Sequence, residues 1–161
     1  MLQKEINFSY KVHHSKESLS MNDQQLIAQA SLASSMAYAP YSLFKVGAAI
    51  LTEDGGVTFG SNQENGAFPI GQCAERVALY RMVHEHGRKP IDTIAIVVDN
   101  EIQKTPASPC GSCRQVLNEY RSFQTQPIRL LLATADEGEV YEIKDIRDLL
   151  PFAFDGSFLG Q

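Results

Sequence analysis

Cysteines stand at two places in this chain where a loop or strand gives way to a helix. Cys73 opens Cys73-Ala74-Glu75-Arg76, and Cys110 follows Pro109 to open Cys110-Gly111-Ser112-Cys113. If the three thiols serve one site, the fold must bring two helix starts together, which restricts it more than any composition figure does. The free N–H groups and positive dipole end of a helix favour the thiolate at Cys73 and Cys110. Cys113 lies one turn beyond Cys110 on the same face, so both can bind one ion. Three thiolates leave one position of a tetrahedral Zn²⁺ open for water. A closed structural site needs a fourth ligand, and there is no fourth cysteine. His13 and His14 lie in a polar N-terminal stretch, and His84 and His86 lie about three turns from Cys73, so the histidines are poor candidates.

Glu75 separates this pattern from an ordinary zinc knuckle. Two residues after Cys73, in the first turn, its carboxylate can sit beside a bound water without ligating the metal. The helix dipole alone also favours a glutamate there, and in isolation that explanation would suffice. Zinc deaminases, however, carry His-x-Glu followed by Pro-Cys-x-x-Cys, with Cys permitted for His and the Glu serving as general acid and base. The match to the Cys variant is complete.

The rest of the chain fits a small intracellular enzyme. With 161 residues and 43% hydrophobic content it is long enough for one cored domain and short for two. A net charge of -5 argues against a surface that neutralises phosphates, so a small substrate is expected and nucleic acid is not. Three cysteines, an odd count, and an N-terminus without an apolar leader core argue against disulfides and secretion. Runs such as Ile94 to Val98 are far too short to span a bilayer, so no membrane partner and a cytoplasmic location are expected.

Residues 1–20 are polar, apart from a possible edge strand in which Ile6, Phe8, Tyr10 and Val12 alternate with polar residues. Residues 21–161 read as one catalytic domain. A first helix is expected from an N-cap at Asn22 or Asp23 toward Pro40, on the spacing of Leu26, Ala30, Ala33 and Ala37. Val46 to Thr52 and Val57 to Gly60 flank Glu53-Asp54-Gly55-Gly56 and read as a hairpin. Ile91 to Val98 and Ile128 to Thr134 are almost continuously apolar, as strands covered on both faces are. Helices are expected from about Cys73 to Glu85, stopped by Gly87, and from Gly111 to Arg121, with a further strand at Val140 to Ile143. The order predicts an α/β fold, a three-layer α/β/α sandwich around a mixed sheet of about five strands.

With these pieces in view, the chain resembles the small, homotetrameric, three-cysteine cytidine deaminases. The resemblance rests on Tyr41-Ser42 with Phe44, Val46 to Ala49, Asn62-Gln63-Glu64-Asn65, Cys73 to Arg76, Ser108 to Gln115, and Leu149-Leu150-Pro151 with Phe154, in family order. It implies one Zn²⁺ per chain on Cys73, Cys110 and Cys113, and hydrolysis of cytidine and deoxycytidine to uridine and deoxyuridine plus ammonia. Zinc hydroxide would attack C4, with Glu75 as the proton shuttle. It implies that Phe44 packs on the base and that Asn62 and Glu64 bind the ribose 3′-hydroxyl. It also implies that the Ala74 N–H meets the base carbonyl, that the Ser108 carbonyl receives the amine, and that Phe154 enters a neighbouring subunit's pocket. Without the cysteine motifs, Phe44 would read as core and Asn62 to Asn65 as a mere turn.

Three thiolates give the zinc a formal charge of -1, and an arginine at the position of Arg76 hydrogen-bonds zinc-bound sulfur in the family; Arg114 is grouped with it as a second compensating charge. The chain departs from the family pattern at Phe68, where many members have Tyr, and at Gln72, where an apolar residue is common. Two rivals stand beside this reading. One is a same-fold deaminase of another cytosine compound such as blasticidin S. The other is a non-catalytic zinc-stabilised nucleoside-binding scaffold, which would have no need of Glu75.

Overall fold

The computed structural model describes residues 1–100 and 104–160. A six-stranded sheet is built from β1 (Lys11–His13), β2 (Lys45–Thr52), β3 (Val57–Ser61), β4 (Ile91–Asp99), β5 (Arg129–Thr134) and β6 (Val140–Ile143). Their order is β1-β6-β5-β4-β2-β3, with β4 and β5 parallel and the other neighbours antiparallel. The helices are α1 (Met21–Ser34), α2 (Ala74–His86) and α3 (Gly111–Ser122).

The mixed sheet between helical layers agrees with the sequence, but it has six strands rather than about five. The sixth comes from the N-terminal extension, and its pairing is shorter than the alternation from Ile6 to Val12 predicts. β6 supplies only Val140, Tyr141 and Glu142 as partners, so only Lys11 to His13 pair, and Ile6, Phe8 and Tyr10 remain exposed. Glu142 fixes the register, accepting from Lys11 Nζ at 3.2 Å and meeting His13 Nε2 at 2.7 Å.

Each face of the sheet has its own core. On one side α1 buries Leu26, Ile27 and Ala30 against Ala49, Ala95, Val97 and Leu131. On the other α2 and α3 bury Ala78, Leu79, Met82 and Leu117 against Ala48, Ile50, Ile94, Ile96 and Leu130. Alternate residues of β4 therefore serve opposite cores, which is why that strand is apolar throughout. Close seating of the helices needs glycines in the sheet. A Cβ at Gly47 would stand 1.9 Å from the Ala30 carbonyl oxygen on α1.

Helix boundaries depart from the sequence expectation mainly at α1. Its N-cap is Ser20 rather than Asn22 or Asp23: the Ser20 hydroxyl accepts from the Asp23 N–H at 3.2 Å. The Asp23 side chain is engaged elsewhere, in an ion pair with Arg129 of β5. The helix ends at Ser34, where the Ser34 and Ser35 hydroxyls turn back onto the Ser31 and Leu32 carbonyls, and the chain goes on to pair Tyr38 with Gln63. α2 stops at His86 with Gly87 at φ 74°, as its sequence predicts.

Candidate metal centre and catalytic cleft

α2 leaves β3 and α3 leaves β4, and both lie on the same face of the sheet. Their N-terminal ends meet. Cys73 is the N-cap of α2 and Cys110 the N-cap of α3, while Cys113 is buried in the first turn of α3. The three sulfurs lie within 4.8 Å of one another, and Cys73 Sγ is 3.8 Å from Cys110 Sγ. A tetrahedral ion with Zn–S bonds of about 2.3 Å separates its sulfurs by about 3.8 Å, so the donor set suits Zn²⁺ in type and spacing.

The charges around the sulfurs are unequal. Hydrogen bonding with Cys113, and then with Arg76 Nη2 at 3.7 Å, brings the Cys73 thiol down to about 5 against the opposing effect of burial. Cys113 moves the other way. Its hydrogen bond to Cys73, its burial and the neighbouring Glu75 carboxylate all hold its proton on. Like charges this close disfavour one another, so the cluster favours ionising one sulfur over ionising all three, and a bound cation would offset that repulsion.

Glu75, in the first turn of α2, is 5% exposed. Burial, together with the negative Cys73, pushes its carboxyl up to about 7. Arg76 follows, with Nε buried and without a hydrogen-bond partner among the described residues. Arg114 does not pair with sulfur as its grouping with Arg76 implies. Its guanidinium donates instead to the Pro109 carbonyl at 2.8 Å, the Ser108 hydroxyl at 2.8 Å and the Leu149 carbonyl at 3.1 Å.

The centre opens into a cleft of about 600 Å³. Cys73, Ala74, Glu75 and Cys110 form its reactive end, and Ser108 lines it from the loop before α3. Phe44, Val46, Ile96 and Val98 make an apolar wall continuous with the β2–β4 ladder, in which Val46 pairs with Val98. Asn62, Glu64, Tyr41, Ser42, Phe68 and Gln72 also line it. Of the residues singled out from sequence for the nucleoside, Phe44, Asn62, Glu64, Ala74 and Ser108 are thus brought together. Phe154 is not. It is exposed, stacks on Phe158 at 5.4 Å, and is held by Gln115 Nε2 donating to its carbonyl at 2.7 Å.

Asn62 and Glu64 also do something their spacing does not reveal. Asn62 Oδ1 accepts from the Val46 N–H at 2.8 Å and its Nδ2 donates to the Phe44 carbonyl at 2.9 Å. The Glu64 carboxylate accepts from the Tyr41 N–H at 2.9 Å and from the Ser42 N–H and hydroxyl. These bonds, the first of them from Ser42, hold the Glu64 carboxyl below its ordinary value. Together the two side chains latch the segment 41–46, in which Leu43 takes a left-handed φ of 57°. A non-glycine residue there costs about 1–2 kcal/mol, and the latch holds it in place beside Phe44. Tyr41, Ser42 and Gln72 as lining residues, and Arg114 as a backbone clamp, were missed from sequence. Phe44 and Val46 flank Lys45 at the start of β2 and share a side of the strand, but the left-handed Leu43 breaks that parity before Ser42, so no local signal marks Tyr41 or Ser42.

The chain is similar to known proteins in sequence and in fold. Residues 20–126 match the family described as the cytidine and deoxycytidylate deaminase zinc-binding region. The chain is 42% identical over 134 residues to a cytidine deaminase of Halalkalibacterium halodurans, an alignment covering 83% of this chain and 95% of that one. A cytidine deaminase of Sporosarcina psychrophila is 41% identical, with 83% and 92% covered. Among solved structures, the cytidine deaminase from Burkholderia pseudomallei superposes with a TM-score of 0.73 at 38% identity, covering 84% of this chain and all of that one.

Proposed function

The chain belongs to the cytidine and deoxycytidylate deaminase family, and from that premise we propose that it hydrolyses cytidine and deoxycytidine to the corresponding uracil nucleosides and ammonia. The observation that carries the proposal is the convergence of three sulfurs and one buried carboxylate beside a nucleoside-sized cleft. The rim favours a neutral nucleoside over a nucleotide. Glu64 and Glu75 are the charged groups among its described lining residues, and no Lys, Arg or His is present to meet a phosphate.

Cys73, Cys110 and Cys113 would hold a Zn²⁺, and the bound ion would supply a water molecule made nucleophilic near neutral pH. Glu75 takes the proton that this water gives up and delivers it to N3 as oxygen adds to C4. It then carries the second proton to the 4-amino group, the C4–N bond breaks, and ammonia leaves a C4 carbonyl. One carboxylate serves both steps because each proton accepted is then donated. The Ala74 N–H, at the start of α2, meets the base carbonyl; the Ser108 carbonyl receives the amine; Phe44 packs on the base; and Asn62 and Glu64 face the ribose. Arg76, donating to Cys73 Sγ, withdraws negative charge from an over-negative centre.

We assign residues 21–161 to the catalytic domain and 1–20 to an extension that adds β1 to the sheet edge. The assembly in this reading is a homotetramer. Its support is the position of Phe154, outside its own cleft and exposed, where it can complete a neighbour's. Among the described residues no helix is long and apolar enough to cross a membrane. Three reduced cysteines as metal ligands suit the cytoplasm.

The test is an ultraviolet assay of zinc-loaded protein against cytidine, deoxycytidine, deoxycytidylate, cytosine and blasticidin S, with metal measured on the same sample. Turnover of the two nucleosides well above the other compounds is expected. Preference for blasticidin S would move the substrate elsewhere within the fold family, and absence of ammonia from every compound would leave a scaffold.

A further inference from the structure

We infer that Arg114 is a positioning residue for this reaction, one that fixes the loop carrying Ser108 and Cys110 and ties it to the carboxyl-terminal segment. The inference rests on the deaminase reading but concerns a residue that touches neither sulfur nor substrate. Its guanidinium reaches three acceptors on two separate stretches of chain: the Pro109 carbonyl and Ser108 hydroxyl at 2.8 Å each, and the Leu149 carbonyl at 3.1 Å. A planar fork can serve three acceptors at once, whereas an ammonium on a flexible stem cannot reproduce that geometry.

Placement gives these bonds their consequence. Ser108 lines the cleft and Cys110 is the N-cap of α3, so the Ser108-Pro109 stretch clamped by Arg114 joins a cleft wall to a cysteine of the proposed metal site. Earlier in the same loop the Lys104–Asp136 ion pair is exposed on both sides, and such pairs contribute little. The Arg114 N–H itself closes the first helical bond onto the Cys110 carbonyl at 2.9 Å. The next residue, Gln115, holds the Phe154 carbonyl at 2.7 Å. Two consecutive side chains of α3 therefore bind the chain at 149 and 154 to the same helix turn that presents the cysteines. Arg114 is the link through which the carboxyl-terminal segment and the Ser108 wall keep a fixed relation.

The experiment compares Arg114→Lys, Arg114→Gln and Ser108→Ala with the wild-type holoenzyme, measuring zinc per chain, kcat and KM for cytidine, and the pH profile of kcat/KM. Wild-type turnover tests the deaminase reading on its own, and the variants are then read relative to it. Both Arg114 variants are expected to keep close to the wild-type zinc content and to lose about 10- to 10²-fold in kcat, the scale of a reacting group misplaced by up to an ångström. The Lys variant should fare no better than Gln, and the pH profile should not move. Ser108→Ala removes one of the three acceptors and should cost about two- to tenfold in kcat, which keeps the inference testable if an Arg114 variant fails to fold. Restoration of turnover by Lys would make Arg114 a charge rather than a clamp and overturn the inference. So would unchanged kcat per bound zinc in the Arg114 variants or in Ser108→Ala.

Discussion

Gly60 lies on β3 where α2 crosses it most closely, and its replacement by alanine tests how the sheet sets the metal centre. A Cβ there would stand 2.5 Å from the Ala78 backbone nitrogen and 2.9 Å from the Val77 carbonyl carbon. Ordinary contact begins at 3.4 Å, so the nearest atom is too close by about 0.9 Å. The obstacle is helix backbone rather than the tip of a flexible side chain, and α2 must retreat as a body. Overpacking of this kind costs about 1–3 kcal/mol. At 2–4 °C per kcal/mol for a domain of this size, Gly60→Ala should lower the melting temperature by about 2–12 °C.

The contact is one turn from Cys73, and α2 also carries Glu75 and Arg76, so the same retreat displaces a sulfur and the carboxylate relative to Cys110 and Cys113 on α3. A misplacement approaching 1 Å can cost about 10²-fold, and kcat/KM for cytidine should fall by that order. Gly55→Ala is the control. Gly55 has φ 86° with no heavy atom near its missing Cβ, so a left-handed alanine costs about 1–2 kcal/mol in the hairpin turn without touching α2. Thermal melts followed by circular dichroism, zinc content and steady-state turnover separate the two. Gly60→Ala with wild-type melting and turnover would refute the reasoning, as would equal losses of activity in both variants.

Glu75→Gln should keep zinc and lose about 10²–10⁴-fold in kcat, read by metal analysis beside the ultraviolet assay. Arg76→Ala removes the donor to Cys73 Sγ, and a charge-assisted bond of this kind implies a loss of about 10- to 10²-fold together with a moved pH profile. Burial pushes the Asp23 carboxyl up, but hydrogen bonds from Arg129 and Ser20 outweigh it and hold the group below its ordinary value. Its stabilisation is thus complete above the unfolded value of about 3.9 and is lost as pH falls through the folded one, so the stability gap of about 2 kcal/mol between wild type and Asp23→Asn should be flat from about pH 5 to 8 and close in acid, by urea denaturation. Deleting residues 1–14 removes β1 and the Lys11 and His13 contacts to Glu142 at the edge remote from β2 and β3; a lower melting temperature with unchanged kcat/KM is expected, and a change in KM would place the extension in the site's machinery.

What sequence revealed and what it concealed divide by chain distance. The cysteine motifs, the Gly87 stop and the two-faced runs of β4 and β5 are local signals, and each element appears within a residue or two of its expected limits. The cap of α1 does not, because Asp23 is diverted to Arg129, 106 residues away. The length of β1 is decided by how little of β6 is available to pair with it. Asn62 and Glu64 are recognisable as site residues from their motif, but their grip on the backbone at 41–46 depends on β3 lying beside β2. Arg114 next to a ligand cysteine invites an electrostatic reading, and only the return of Leu149 to α3 shows where its guanidinium goes.

The same division separates chemistry from recognition. The three sulfurs and Glu75 stand on the first turns of two helices seated on one sheet face, where a displacement of any one of them must move a helix. Rigid placement is what three sulfurs within 4.8 Å of one another, and a carboxylate that moves protons in the proposed reaction, require. The groups proposed to face the sugar stand on the segments 41–46 and 62–72, largely outside the strands and held by a few side-chain latches, with Leu43 at a left-handed φ. Such segments accept substitution without disturbing the helices. Phe68 and Gln72, the departures from the family pattern, both lie there and not among the ligands. In the proposed reaction, substitutions at these two positions are expected to act on KM and on the choice between nucleosides, whereas substitutions at Gly60, Arg76 and Arg114, which border the two helix starts, are expected to act on kcat.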